Sequence, residues 1–224
     1  PAELASLRKL RKLNLHRNQL REVPPQIGHL KQLEELDLYF NEPLQTLPEE
    51  IGRLKKLRKL DLYRDVFFHM PPGITGLISL EDLNMSKTRL SALPEDIGDL
   101  RNLKVLNLFC NQIRSLPASF AELKSLEFVN LGNNMSLQLG PEIGGLESLQ
   151  RLHLANVKKT DLPPEMEALK NLKHLDLRNH GRTSLPDHIL RMNWLEELYL
   201  DGNLFSEEER HRIEQAFPHA RISF

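Results

Sequence analysis

Only one cysteine, Cys110, stands among 224 residues. A single thiol cannot close an intrachain disulfide, so the stapled caps common in secreted repeat proteins are excluded. A reducing compartment is weakly favoured, and a cytoplasmic chain or one secreted without disulfides both stay open. Charge of one sign is also missing, since 30 Lys and Arg face 31 Asp and Glu. That balance removes any global pull toward nucleic acid or an anionic membrane. No apolar run approaches the length of a membrane span and no signal peptide is visible, so membrane insertion is not expected. Sequence-local catalytic signatures are absent as well: there is no G-x-x-x-x-G-K-[ST], G-x-S-x-G, H-E-x-x-H or C-x-x-C. Cys110 has Phe109, Asn111 and Gln112 around it. None of these is a base, so it reads as a plain surface or packed thiol. His153, His174 and Asp176 come nearest to a metal-ligand set, with no local motif behind them. The chain therefore reads as a non-enzyme with no cofactor and no metal. The sequons Asn84-Met85-Ser86 and Asn134-Met135-Ser136 are accounted for by chance in a chain full of Asn.

What the chain has is a period. With 40% hydrophobic residues it can bury a sizeable core, and the leucines that build that core recur at fixed spacing. Leu10, Leu33, Leu57, Leu80, Leu103, Leu126, Leu149, Leu172 and Leu195 each open the pattern L-x-x-L-x-L, 23 residues apart with one step of 24. The fourth and sixth places alternate with polar ones, which is the period of a short strand with one buried face. After each strand comes a turn, with Asn18 and its equivalents suited to bond backbone groups there. An L-P-x-x-I-G-x-L stretch then returns the chain, and its Pro and Gly argue against a long helix. One unit cannot bury its own leucines, so the units must stack and share a core, with the strands forming a parallel sheet.

This pattern resembles the leucine-rich repeat family over essentially the whole chain. The 23-residue L-P-x-x-I-G form is similar to the Scribble- and Erbin-like, plant Ras-group and bacterial branches. The resemblance implies an α/β solenoid, a horseshoe with a concave parallel sheet, in a single domain over residues 1–224. Residues 1–9 are a partial repeat, 10–203 about nine repeats, and 204–224 a C-terminal helical cap. In that cap Ser206 followed by Glu207, Glu208 and Glu209 reads as a capping box opening a helix near Glu207–Ala216. Ile213 and Phe217 cover the last repeat, Pro218 stops the helix, and Ile222 and Phe224 form a final extended segment. At the other end Pro1, Leu4 and Leu7 match the middle of a repeat. Either more repeats or a domain precede them, or order begins here.

The units are not identical. The Asn place holds Asn18, Asn41, Asn111, Asn134 and Asn203, but Asp65, Thr88, Val157 and His180 in the other four. The apolar place two residues later becomes Lys159 and Arg182 in the seventh and eighth units, so turns that are looser or shaped by something else are expected there. Insertions fall at Glu42-Pro43 and around Met135-Ser136.

On the outward side of the strands, Arg11, Glu34, Arg58, Glu81, Lys104, Glu127, Gln150, Lys173 and Glu196 form a row of nearly alternating sign. It reads as structural, since opposite charges on neighbouring strands support each other. The fifth-place row, Asn14, Asp37, Asp61, Asn84, Asn107, Asn130, His153, Asp176 and Tyr199, also reads as structural. A different character appears where Tyr39, Phe40, Tyr63, Phe109 and Phe128 occupy outward places, with Arg64 beside them and Phe68 just beyond in a loop. Aromatic residues and Arg are favoured anchors of protein interfaces. These seven are the candidate partner-binding residues; the plain alternative is scattered surface aromatics. A second candidate is the basic patch Arg151, His153, Lys173, His174 and Arg178, with Lys158, Lys159, Arg182 and His180 nearby. It suits an acidic segment or a phosphate group, against the alternative of a solvated face tempered by Asp161 and Asp176.

The family resemblance implies a protein-protein interaction module that binds another protein, not nucleic acid, on its concave face. A substrate-recognition segment of a larger enzyme, a ubiquitin-ligase effector or a GTPase-kinase, is the alternative. A structural spacer or adhesin is the third reading.

Overall fold

Each L-x-x-L-x-L run makes a strand of three residues. The leucine at its centre and the one just past its end turn inward, so that Leu36 and Leu38, or Leu106 and Leu108, are buried, while Asp37 and Asn107 between them stay half-buried. The computed structural model describes residues 2–157 and 160–224. Among these the strands are β1 (Lys12–Asn14), β2 (Glu35–Asp37), β3 (Lys59–Asp61), β4 (Asp82–Asn84), β5 (Val105–Asn107), β6 (Phe128–Asn130), β7 (Arg151–His153), β8 (His174–Asp176), β9 (Glu197–Tyr199) and β10 (Arg221–Ser223). All pair parallel in chain order in one sheet. The register puts leucine opposite leucine, with Leu36 between Leu13 and Leu60. The extended segment expected at the C-terminus is the tenth strand of this sheet, with Ile222 opposite Leu198.

The returns are short, as Pro and Gly require. Most are single 3-10 turns such as Pro25–His29, Pro72–Gly76 and Pro164–Ala168. One is a single α-turn, α1 (Asp187–Leu190). Their isoleucines, Ile27, Ile51 and Ile74, are fully buried. Gly28 is needed for close approach: a Cβ there would lie 2.7 Å from the carbonyl oxygen of Glu50 in the next return.

The C-terminal helix is α2 (Glu207–Ala216), and Ser206 Oγ accepts the Glu209 N–H at 3.2 Å. Ile213 and Phe217 are buried beneath it. In the first unit Leu10, Leu13, Leu15 and Leu20 pack only partly against the core, and Leu7 is 48% exposed. No helix among the described residues is long and apolar enough to cross a membrane.

Inside the turns runs a ladder of buried asparagines. Asn111 Nδ2 donates to the carbonyls of Met85 (2.8 Å) and Leu108 (3.0 Å), and its Oδ1 accepts the Leu90 N–H at 2.8 Å. Asn134 repeats this with Leu108, Leu131 and Ile113. Each such side chain satisfies three buried backbone groups that would otherwise cost about 1–3 kcal/mol apiece. The substitutions keep part of this. Thr88 Oγ1 donates to Met85 O at 2.8 Å, and His180 Nε2 donates to Leu154 O at 2.8 Å. Burial lowers the His180 pKa. Of the two alternatives for the eighth turn, a looser form or one shaped by something else, the second is found: the Arg182 N–H is held by Asn203 Oδ1 at 3.0 Å, and its guanidinium donates to Thr160 O. Burial pulls the Arg182 pKa down. Lys158 and Lys159 lie outside the described residues.

Candidate functional site

The strands end in a repeated device. The fifth-place Asn or Asp turns back so that its Oδ1 accepts the N–H two residues on, as Asp37 does from Tyr39 (3.0 Å), Asp61 from Tyr63 (2.9 Å) and Asn107 from Phe109 (3.1 Å). This Asx turn makes the row structural and leads into a residue with positive φ. In successive units that residue is Arg17, Phe40, Arg64, Lys87, Cys110, Asn133, Asn156, Asn179 and Gly202. Asn and Gly tolerate the left-handed region; other side chains lose roughly 1 kcal/mol or more there. The last four units thus carry the residues the backbone prefers, and the first five do not.

At that corner the sequence places rings and cations together. The Tyr39 and Tyr63 rings lie 5.1 Å apart, with Phe40 5.9 Å and His16 6.0 Å from Tyr39. Arg17 sits 5.7 Å from the Tyr39 ring, Arg64 4.8 Å from Phe40 and Lys87 5.6 Å from Tyr63. Such cation-ring contacts are worth about 0.5–1 kcal/mol when exposed. An open depression of 660 Å³ lies beside them, lined by Arg17, Tyr39, Phe40, Glu42, Pro43 and Arg64 among others. A second, of 580 Å³, continues past Arg64 to Lys87, Arg89 and Cys110. Tyr39, Phe40 and Tyr63 are half-buried and Arg64 is exposed. Burial raises the pKa of Asp61 under this cluster.

The matches to known families carry the same period. A leucine-rich repeat region model matches residues 2–88 and 73–161, and a leucine rich repeat model matches 147–205. The chain belongs to the leucine-rich repeat family. The leucine-rich repeat domain of the type III effector XopL is 30% identical, with a TM-score of 0.79 over 92% of this chain and 73% of that one. An internalin of Listeria monocytogenes, InlF, shares the fold at 17% identity and a TM-score of 0.82, over 99% of this chain and 65% of that one. The leucine-rich repeat ectodomain of the Arabidopsis thaliana membrane receptor kinase GASSHO1/SCHENGEN3, solved with Casparian strip integrity factor 2, is 26% identical with a TM-score of 0.65 over 91% of this chain. The chain spans less than two thirds of the internalin and 28% of that ectodomain. No curated protein sequence matches it significantly. Leucine-rich repeat domains are in general protein-interaction modules, and this is the broad class of the chain.

On the repeat sheet the seven candidate residues fall into more than one group. Tyr39, Phe40, Tyr63 and Arg64 form the corner cluster. Phe109 is half-buried one unit past Ser86 and reaches toward Gly132. Phe128 packs edge-on to His153 at 5.1 Å, with Arg151 5.2 Å from its ring, and so adjoins the second patch. Phe68 is 49% exposed in its loop. The second patch carries its own counter-charges. Arg178 forks onto Asp176 at 2.6 and 2.9 Å, His174 Nδ1 lies 2.9 Å from Glu197, and Lys173 pairs with Glu196 at 2.8 Å. Hydrogen bonds from Tyr199 and His174 hold Glu197 below the usual carboxylate range. Burial lowers the His153 pKa.

The alternating charge row forms the cross-strand pairs its pattern suggests, among them Arg11–Glu34 at 2.6 Å, Arg58–Glu81 at 3.4 Å and Lys104–Glu81 at 3.0 Å. Sequence reasoning did not single out Arg17, Lys87 and Arg89 at the corner. The signal was available in the switch from Arg, Phe and Lys to Asn and Gly at one place in the unit.

Proposed function

We propose that the chain binds a partner protein on the concave face, with the corner cluster Tyr39, Phe40, Tyr63 and Arg64 as its centre. Phe109, Phe128 and Phe68 flank it, and the patch of Arg151, His153, Lys173, His174 and Arg178 is a secondary contact. The observation that carries this reading is the close, tilted Tyr39–Tyr63 ring pair with cations near its rings, half-buried at the sheet's edge and outside the leucine core. A second reading, a recognition segment of a larger enzyme, draws support from the likeness to a receptor-kinase ectodomain; the full reading frame tests it.

The binding test is affinity capture with the wild-type chain and with Tyr39→Ala plus Tyr63→Ala, followed by titration of the partner found. Removing the rings should cost about 1 kcal/mol of stability each and about 2 kcal/mol or more of binding. Equal binding by the double variant would rule the cluster out as the interface.

A further inference from the structure

The cations of the strand face and those of the corner are treated differently. On the strands, Arg11, Lys12, Lys59, Lys104 and Lys173 each have a carboxylate within 4 Å on a neighbouring strand. At the corner, Arg64 has only the exposed Glu42 at 3.8 Å. Among the described residues Arg17, Lys87 and Arg89 form no ion pair. All four stand in the left-handed region, with φ between 54° and 70°; Arg17, Arg64 and Lys87 hold the place that Asn133, Asn156 and Asn179 take in the later units, and Arg89 lies two residues beyond it. They border the two depressions, which meet at Glu42 and Arg64.

We propose that this corner, over the first five units, is a docking track for an extended acidic peptide segment of the partner. The proposal rests on the reading that the corner cluster is the interface, and it names the chemistry of what binds there. Four cations without strong internal partners supply a local positive field in a chain of net charge −1. The rings of Tyr39, Phe40 and Tyr63 give apolar side chains between the acids a place to rest. Neighbouring strands lie about 4.8 Å apart and an extended peptide rises about 3.3 Å per residue, so carboxylates one to three positions apart meet cations one or two units apart. Asp37, Asp61 and Glu42 nearby disfavour a continuous polyanion, which points to a peptide with spaced acids.

The test uses a fluorescent peptide of repeating Glu-Leu-Glu-Gly against the whole chain, with a Lys-for-Glu peptide, a phosphoserine-for-Glu peptide and phosphatidylserine vesicles as the other arms. The acidic peptide should bind, more weakly as salt rises, and the Lys peptide should not. The variant Arg17→Asn, Arg64→Asn and Lys87→Asn takes the residue the later units carry. It should melt no lower than wild type and bind the acidic peptide about tenfold more weakly or worse. Glu42→Gln should bind it more tightly. No binding by wild type, or equal binding by the triple variant, overturns the proposal. So does stronger binding of the phosphoserine peptide or of the vesicles. Loss of the captured partner by the Tyr39→Ala plus Tyr63→Ala variant with full retention by the triple variant would leave the interface standing and remove the acidic track. Retention by both would remove the interface reading itself.

Discussion

Asp65 should make the fold lose stability as pH rises, and Asn in its place should remove that loss. The side chain is fully buried at an asparagine place of the ladder. Its Oδ1 accepts the Asn41 N–H at 2.6 Å, as Asn111 Oδ1 accepts that of Thr88. By repeat equivalence Oδ2 stands where an amide would donate to backbone carbonyls. It is buried and has no partner, a role that only the protonated acid can fill. Burial, opposed by the Asn41 hydrogen bond and reinforced by the carboxylates of Asp61 and Asp37, pushes its pKa from 3.8 up to about 8. Between those values the folded chain keeps a proton that the unfolded chain releases. The stabilisation is therefore whole below about pH 4 and drains away as pH climbs through 8. At about 1.4 kcal/mol per pH unit the ceiling is near 5–6 kcal/mol, and water penetration and relaxation bring the working figure to about 2–3 kcal/mol. Urea unfolding of wild type and Asp65→Asn between about pH 5 and 8.5 reads it as a midpoint difference at constant m. The two should nearly coincide at the acid end and separate by about 2 kcal/mol at the alkaline end, the variant being the more stable. Parallel curves across the range, or a variant less stable at every pH, would refute the protonated-ladder reasoning.

Asn134→Ala should cost about 3 kcal/mol in the same assay, since it strands the Leu131 carbonyl and the Ile113 N–H, while the Leu108 carbonyl keeps Asn111. Ser206→Ala should remove about 1 kcal/mol from the cap of α2, read as a lower melting temperature. Amide hydrogen exchange should be faster around Leu13–Leu15, where packing is partial, than around Leu106–Leu108, where it is complete.

The solenoid was legible because leucine at fixed places carries two facts at once, the period of the strand and the period of the stack. The cap was legible because Ser206 and three glutamates are local chemistry. Membership of Arg221–Ser223 in the sheet was not, as that segment has no L-x-x-L-x-L and is recruited only by the open edge of β9. The aromatic residues were visible as a composition, but their grouping depended on register: Ser86 separates Tyr63 from Phe109, while Phe128 faces Arg151 across the strands. The corner was hidden because Arg17, Phe40 and Lys87 do not advertise a left-handed backbone; the Asx turns before them impose it. In the second patch the residue types were plain, and the pairing of His174 with Glu197 was a matter of register between β8 and β9.

The buried ladder has unequal rungs, and that makes the molecule a chain of blocks with weak links. Asn111 and Asn134 tie the middle units together through backbone groups of neighbouring units, whereas Val157 contributes no rung and Asp65 leaves its Oδ2 without a partner. In a linear array, where each unit is coupled only to its neighbours, boundaries form where coupling is least. Under load or heat the array should part first near the third and seventh units, leaving the fourth to sixth as the last body to melt.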